Sequence, residues 1–189
     1  NASHISLDSV YVRYLNPVSE ARMAAHGVHF LPGNIDWNNV DALIEKAEIS
    51  KIRVKDDLIT GTVNSLVVQE FDTGLRLEEV SCQRVTVGKE KVRLESVHVK
   101  DALSDIRVKH LILTGSMDEY SDFIHQIGLD GELQAGSVVS MQTLSHLGPN
   151  LFDNFARGRV EGKVSGRVDD LMLERVTVQE LSSGISAEV

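Results

Sequence analysis

Cysteine and aromatic residues are scarce in this chain. Cys82 is the only cysteine, which excludes an internal disulfide and a cysteine metal cluster. It lies among apolar positions, so we expect a buried structural thiol rather than a nucleophile. Aromatic residues make up 5% of the chain, so aliphatic side chains must fill its core. No apolar run reaches the ~18 residues that a membrane-spanning helix needs.

Basic residues are fewer than acidic residues. The formal net charge of −9 argues against a nucleic-acid-binding protein, which normally carries a basic patch. The basic residues are spread along the predicted strands, a pattern typical of a solvated sheet face. The length predicts one elongated unit over residues 1–189. Because Asn1 reads as the middle of a strand, we expect an internal fragment of a larger protein.

Signals for catalysis are weak, and we expect neither an enzyme nor a cofactor. His26 and His29 are three residues apart, which in a straight strand places them on opposite faces and does not favour a metal site. Gly158, Gly162 and Gly166 lack the spacing of a phosphate-binding loop and indicate strand bends instead. The serines, histidines and aspartates form no recognisable nucleophile motif.

What the chain does have is one recurring pattern: apolar, any, apolar, two residues, apolar, any, apolar. The copies are Ile5, Leu7, Val10, Val12; Met23, Ala25, Val28, Phe30; Ala47, Ile49, Ile52, Val54; Gly61, Val63, Leu66, Val68; Leu75, Leu77, Val80, Cys82; Val92, Leu94, Val97, Val99; Ile106, Val108, Leu111, Leu113; and Leu171, Leu173, Val176, Val178. The two-residue gap would turn the second pair to the other face of a straight strand. A β-bulge or bend at the gap would return it. The pattern therefore predicts repeated bent strands, each with one apolar face.

The fold class that follows is all-β and mainly antiparallel, because the connections are short. We predict a long, bent, repetitive sheet with one apolar concave face and two short helices. The strands are expected at 4–14, 21–31, 45–55, 58–70, 75–87, 91–100, 104–115, 130–139, 156–168 and 170–179, with a final strand after 182–184. Residues 35–44 are ambiguous: Asp36 could cap a short helix carrying Trp37, Val40 and Leu43, or the segment could lead directly into the next strand.

The two helices are predicted near residues 116–128 and 140–148. Ser116 and Glu119 form a capping box, and apolar residues follow at helical spacing (Tyr120, Phe123, Ile124 and Ile127). Ser140 would cap the second helix, which carries Met141, Leu144 and Leu147 and ends at Gly148-Pro149.

The apolar face is too large for the helices to cover. Eight pattern copies of four positions give 32 inward slots, whereas the helices offer about eight apolar side chains. Either the sheet covers itself as a β-sandwich or closed barrel, or part of the face stays open. An open face of this size would need an apolar ligand such as a lipid acyl chain.

Three stretches resemble a known family. They are residues 72–81, where a glycine leads into Leu75 and Leu77; the run of bent strands from Val85 to Leu113; and residues 136–151 with the following 158–171. These stretches are similar to the TamB/AsmA-like family of Gram-negative envelope proteins, the translocation and assembly module, in the version found in Bacteroidetes. The resemblance covers most of residues 40 to 179 and includes no catalytic signature.

The resemblance implies a taco-like β-sheet that spans the periplasm as part of an inner-membrane-anchored protein. It further implies a role in phospholipid transport from the inner to the outer membrane and in outer-membrane biogenesis. The implied partners are phospholipid, the remainder of the same polypeptide at both sheet edges, and an Omp85-family protein of the outer membrane; nucleic acid is not among them.

The groove lining follows from the pattern and the resemblance together. We expect it to consist of Leu75, Leu77, Val80, Val92, Leu94, Val97, Val99, Ile106, Val108, Leu111 and Leu113. The alternative function is a protein-interaction scaffold in outer-membrane protein assembly, which would bind partner strands through the edges of the sheet. An acidic residue in the groove would abolish the first function, whereas changes in the edge strands would abolish the second.

Overall fold

The described residues form one open antiparallel sheet of ten strands, joined in sequence order. A computed structural model describes residues 3–17, 21, 24–25, 33–116, 118–147, 157–181 and 186–188. The strands are β1 (His4–Leu15), β2 (Asn39–Lys55), β3 (Leu58–Glu70), β4 (Arg76–Val87), β5 (Lys91–Lys100), β6 (Asp105–Thr114), β7 (Gly128–Ser140), β8 (Arg157–Arg167), β9 (Asp170–Glu180) and β10 (Ser186–Glu188). Among the described residues β1 pairs only with β2 and β10 only with β9. The predicted all-β antiparallel fold is confirmed, and the closed-barrel and sandwich alternatives are wrong.

The bends occur at the two-residue gaps of the repeated pattern. The second residue of the gap has a φ between 52° and 55° in four copies of the pattern, at Ser9, Lys51, Ser96 and Arg175. Residues other than glycine rarely adopt this left-handed conformation, and one such residue in a strand is typical of a β-bulge. The predicted bulge or bend is therefore present in β1, β2, β5 and β9, and it is accompanied by a register shift in the β2–β3 and β8–β9 pairs.

The segment before β2 settles one ambiguity of the sequence. Residues 33–38 form turns, in which the Asn38 amide donates a hydrogen bond of 2.9 Å to the Asp36 carboxylate. The strand then begins at Asn39, so the helix carrying Trp37, Val40 and Leu43 is not formed. Much of the strand predicted at 21–31 lies outside the described residues. Its described members, at positions 21, 24 and 25, are helical, and the strand prediction is wrong there.

Both short helices are present. The first predicted helix is a 3-10 turn over Glu119–Asp122 that continues as α1 (Phe123–Gln126). Of the two bonds of the predicted capping box, one is present: the Glu119 carboxylate accepts a hydrogen bond of 2.6 Å from the Ser116 amide. The Glu119 amide donates to the Ser116 backbone carbonyl at 3.0 Å rather than to its hydroxyl. This helix ends earlier than expected because Ile127 is already extended and leads into β7. The second helix, α2, spans Met141–Leu147.

Helix α2 and residues 33–38 together form a strap across one end of the strands. The Ile35 amide donates to the His146 carbonyl at 2.7 Å, and the Trp37 indole Nε1 donates to the Leu147 carbonyl at 2.8 Å. These contacts join the start of β2 to the end of β7, which are five strand positions apart. The strap thus ties together distant strands.

Candidate apolar groove

Cross-strand pairing arranges the apolar side chains in five rows that run across the strands. Residues directly opposite each other in an antiparallel pair point to the same face, so each row lies on one face. The first row is Val10, Ile44, Val68 and Leu77. The second row is Leu7, Ala47, Leu66, Val80, Val99 and Ile106. The third row is Ile5, Ile49, Val63, Cys82, Val97, Val108, Leu133 and Gly162.

Two further rows lie beyond the bends. The fourth row is Gly61, Val85, Leu94, Leu111, Gly131, Val164 and Leu173. The fifth row is Val54, Ile59, Val87, Val92, Leu113, Leu129, Gly166 and Leu171. In β5 the positive φ of Ser96 falls between Leu94 of the fourth row and Val97 of the third. We call the surface formed by the five rows the apolar groove.

Ten of the eleven predicted lining residues lie in these rows. The exception is Leu75, which precedes β4 and is buried in the β3–β4 turn. There its carbonyl accepts a hydrogen bond of 2.8 Å from the Glu70 amide. Leu75 therefore belongs to the turn rather than to the rows.

The repeat in β4 is also displaced from its predicted position. Val80, Cys82, Val85 and Val87 pair with Val99, Val97, Leu94 and Val92 of β5, respectively. These four residues of β4 have the spacing of the pattern. The predicted copy ended at Val80 and Cys82, whereas the observed copy begins with them. Val85 and Val87 were missed as lining residues, although the pattern itself could have found them. Leu129, Leu133 and Val164 were also missed, because the glycine-containing strands β7 and β8 carry no complete copy.

The exposure of the lining residues indicates that, within the described residues, no second layer fills the groove. A sheet packed face to face on another layer buries its inner side chains almost completely. All ten predicted lining residues in the rows are half-buried, and none is buried. They cover one another across neighbouring strands but keep part of their surface open.

Buried and exposed apolar side chains occur near both ends of the strands. Near the strap the side chains of Ile35 and Ala42 are buried, whereas Leu15 is 60% exposed. At the opposite end Ile127, directly before β7, is fully buried, whereas Val54 is 66% exposed. The exposure of the apolar side chains therefore does not differ consistently between the two ends.

A buried polar cluster fixes the strap to the sheet. The Thr143 hydroxyl donates to the Asp101 carboxylate at 2.6 Å and accepts from the Ser104 hydroxyl at 2.8 Å. The Ser104 oxygen also accepts a hydrogen bond of 2.9 Å from the Ser140 amide. All four residues are buried. Because each buried polar group has partners, the cluster stabilises the junction between the β5–β6 turn and α2.

The cysteine in the third row has no sign of reactivity. Cys82 is 4% exposed, and burial raises the pKa of its thiol above the ordinary value. Its Sγ donates to the backbone carbonyls of Arg84 and Glu95, at 3.2 and 3.4 Å. A thiol that stays protonated is a poor nucleophile, as the sequence predicted for this residue.

The face opposite the groove carries paired charges. Arg76 forms two hydrogen bonds with the Glu45 carboxylate, at 2.9 and 2.8 Å, and this contact lowers the pKa of Glu45. His98 lies between Glu79 and Asp105, at 3.2 and 3.0 Å. These paired charged side chains keep this face hydrated while the other face remains apolar.

The described residues contain no group of three or more histidine, cysteine, aspartate or glutamate side chains placed to hold a metal ion. His26 and His29 lie outside the described residues. Of the three glycines predicted at bends, Gly162 and Gly166 have positive φ, at 132° and 107°, whereas Gly158 does not.

A helix long and apolar enough to span a membrane is not found in the part of the chain that the structure describes. Comparisons with family models, curated proteins and solved structures find no match for this chain.

Proposed function

We propose that this protein is a non-enzymatic groove that shelters phospholipid acyl chains. The observation that carries the proposal is the continuous apolar surface of the five rows, whose lining residues stay half-buried. Exposed contiguous apolar surface of this extent is typical of a binding site rather than of a solvated monomer face.

The dimensions of the groove suit a hydrocarbon chain. The third row crosses eight strands, from Ile5 in β1 to Gly162 in β8. At ~4.8 Å between neighbouring strands this row is roughly 34 Å long. One leaflet of a bilayer is about half of the ~30 Å hydrocarbon core. An extended acyl chain therefore fits along the row without leaving it.

The lining chemistry also favours an acyl chain over a polar ligand. The side chains of the rows are aliphatic apart from the Cys82 thiol, so they provide contact area without hydrogen-bond partners. Burial contributes ~0.8 kcal/mol for each CH₂ group removed from water. A chain of many methylenes can thus bind without any specific polar contact.

The biological setting comes from the resemblance to the TamB/AsmA-like family. In that setting this chain is a middle section of an inner-membrane-anchored protein in the periplasm, and its groove takes part in phospholipid transport between the membranes. The remainder of the polypeptide would pair with both sheet edges, and an Omp85-family protein would be the outer-membrane partner.

The proposal is tested by titrating the purified protein with a fluorescent fatty acid. We expect saturable binding, and we expect Leu94→Asn to weaken it about tenfold, because an amide replaces the contact surface of a leucine. The matched control is Arg93→Asn, which changes the neighbouring residue on the other face of β5. Equal affinities in the two variants, or no binding by the unmodified protein, would contradict the proposal.

A second candidate function is the interaction scaffold, and one observation favours it. Within the described residues β1 is paired on one side only, and its twelve residues leave a long edge for a partner strand. Alternate amides of an edge strand face the free side. Two variants, Ser6→Pro and Leu7→Pro, each remove one backbone amide. One of them would block the free edge, and the other would disrupt the β1–β2 pairing. Loss of partner binding in the variant that keeps its stability would favour the scaffold.

A further inference from the structure

The polar face of the sheet contains a cationic concavity, distinct from the apolar groove. Its volume is about 400 Å³, and it lies beside the bends of β2 and β5. The lining residues are Lys51, Arg53, Thr60, Gly61, Thr62, Gln83, Arg84, Glu95 and Ser96. We call this surface the bend pocket.

The bend pocket is placed by the same gaps that shape the groove. Lys51 and Ser96 are the left-handed residues of β2 and β5, and Gln83 and Arg84 form the corresponding gap in β4. Since the apolar pairs on either side of each gap face the groove, the gap residues project to the other side of the sheet. The bend pocket therefore follows directly from the repeated pattern.

The charge of the bend pocket is opposite to that of the whole chain. The chain has 28 acidic and 19 basic residues, whereas the pocket has three cations and one carboxylate. Some cations elsewhere on the sheet pair with carboxylates, as Arg76 pairs with Glu45 and Lys109 pairs with Glu132. Others are isolated, but of three pockets in the described residues only the bend pocket brings three unpaired cations together around one concavity. In the described part of the chain, Lys51, Arg53 and Arg84 have no carboxylate within 4.0 Å.

The polar groups between these cations are hydrogen-bond donors. The hydroxyls of Thr60 and Ser96 and the amide of Gln83 line the bend pocket. The Thr62 hydroxyl is already used, because it donates to the Gln83 carbonyl at 2.9 Å. Arginine, lysine and hydroxyl donors around one concavity are the groups that recognise a tetrahedral oxyanion.

We propose that the bend pocket binds a phosphate-class anion through Lys51, Arg53 and Arg84. The site goes beyond the acyl-chain groove and does not depend on it, because it lies on the other face of the sheet. The same chemistry would accept free phosphate or the phosphate of a lipid headgroup. The open, hydrated position of the three cations predicts a dissociation constant on the order of a millimolar for inorganic phosphate.

The first arm of the test uses amide chemical shifts measured by NMR during titration with sodium phosphate, at constant ionic strength. We expect saturating shifts at Thr60, Gln83 and Ser96. Arg84→Gln should weaken binding about tenfold, since it removes one charged contact. Arg53→Gln provides a second variant if the first fails to fold. Arg159→Gln removes an exposed charge from β8, outside the pocket, and should leave the affinity unchanged.

The second arm distinguishes the two sources of phosphate. Vesicles of phosphatidylglycerol are compared with vesicles of phosphatidylcholine in a flotation assay, for the unmodified protein and the same variants. Flotation with the anionic vesicles alone, lost in Arg84→Gln and kept in Arg159→Gln, would identify a lipid headgroup as a ligand of the pocket. Saturable binding of free phosphate without flotation would identify a soluble anion.

Some outcomes would overturn the proposal. One is a set of linear, non-saturating shifts at all cationic residues, with no flotation in the second arm. Another is equal loss of binding in Arg84→Gln and Arg159→Gln, which would indicate net charge rather than a site. Fatty-acid binding should be unaffected by Arg84→Gln, so failure of the bend pocket is distinguishable from failure of the groove.

Discussion

The backbone carbonyl of Arg175 lies directly against Gly162, so that a β-carbon at Gly162 would stand 2.6 Å from its oxygen. Arg175 is the left-handed residue of β9, and Gly162 has a φ of 132° at the break in the β8–β9 register. The bend in β9 is thus accommodated by the missing side chain in β8. This pair shows how one strand's bulge constrains its neighbour.

Gly162→Ala is expected to lower the free energy of unfolding by about 3 kcal/mol. The substitution combines an unfavourable φ with a steric clash against backbone atoms that cannot move without breaking the pairing. Urea denaturation measures the change. Gly74→Ala is the control, because Gly74 also has a positive φ, 76°, but a β-carbon there would have no atom within 4 Å. Gly74→Ala should lower the free energy of unfolding by only about 1 kcal/mol. Equal losses in the two variants would mean that the contact with Arg175 contributes nothing.

Ser96→Val should destabilise the bend of β5. A β-branched residue is strongly disfavoured at positive φ, so we expect a loss of about 2 kcal/mol. Ser65→Val is the matched change in β3, where the second gap residue has no positive φ. It should change stability by less than about 0.5 kcal/mol, because valine suits a strand. Thermal unfolding followed by circular dichroism compares the two. If Ser96→Val were as stable as Ser65→Val, the left-handed bend in β5 would be wrong.

Thr143→Val tests the buried cluster under the strap. The change removes the donor to Asp101 and the acceptor of Ser104 while keeping the shape of the side chain. We expect a loss of about 2–3 kcal/mol, because a buried carboxylate and hydroxyl each lose a partner. Trp37 is the only tryptophan, and its fluorescence reports whether the strap detaches. Thr114→Val, at an exposed end of β6, should be nearly neutral.

The raised pKa of Cys82 predicts slow alkylation in the folded protein. Iodoacetamide reacts with the thiolate, and a higher pKa leaves less thiolate at any given pH. The reaction rate should therefore still be rising above about pH 9, whereas the unfolded chain should level off earlier. The same shift means that the folded state holds the proton more tightly, so stability should fall as pH rises past the thiol pKa of the unfolded chain. Rapid alkylation of the folded protein at neutral pH would contradict the burial of this thiol.

Much of the sheet could be predicted because the apolar pattern is local. Strand β3 has the bounds that the sequence predicted, and β5 does as well. The two-residue gap also predicted the bends, since only a bulge or a bend could keep Leu94 and Val97 on one face. The helical residues within 21–31 were missed because alternating apolar residues there imitate a strand pattern.

The parts that could not be predicted depend on contacts between distant segments. The bond from Trp37 to the Leu147 carbonyl joins residues 110 positions apart, and no local pattern marks it. The displaced repeat in β4 has a different cause. Two overlapping copies of the pattern fit that strand, and only its pairing with β5 selects Val85 and Val87. The bend pocket likewise depends on residues that four neighbouring strands, β2 to β5, bring together.

The most direct test of the groove uses a spin-labelled fatty acid and methyl-labelled protein. Leu111 and Leu113 lie in the fourth and fifth rows, whereas Ile112 between them pairs with Arg93 and Asp130 on the polar face. The label broadens the NMR signals of methyl groups close to it. We predict that the methyl signals of Leu111 and Leu113 lose most of their intensity while those of Ile112 persist. Equal broadening of all three residues, or none, would contradict an acyl-binding groove on this face.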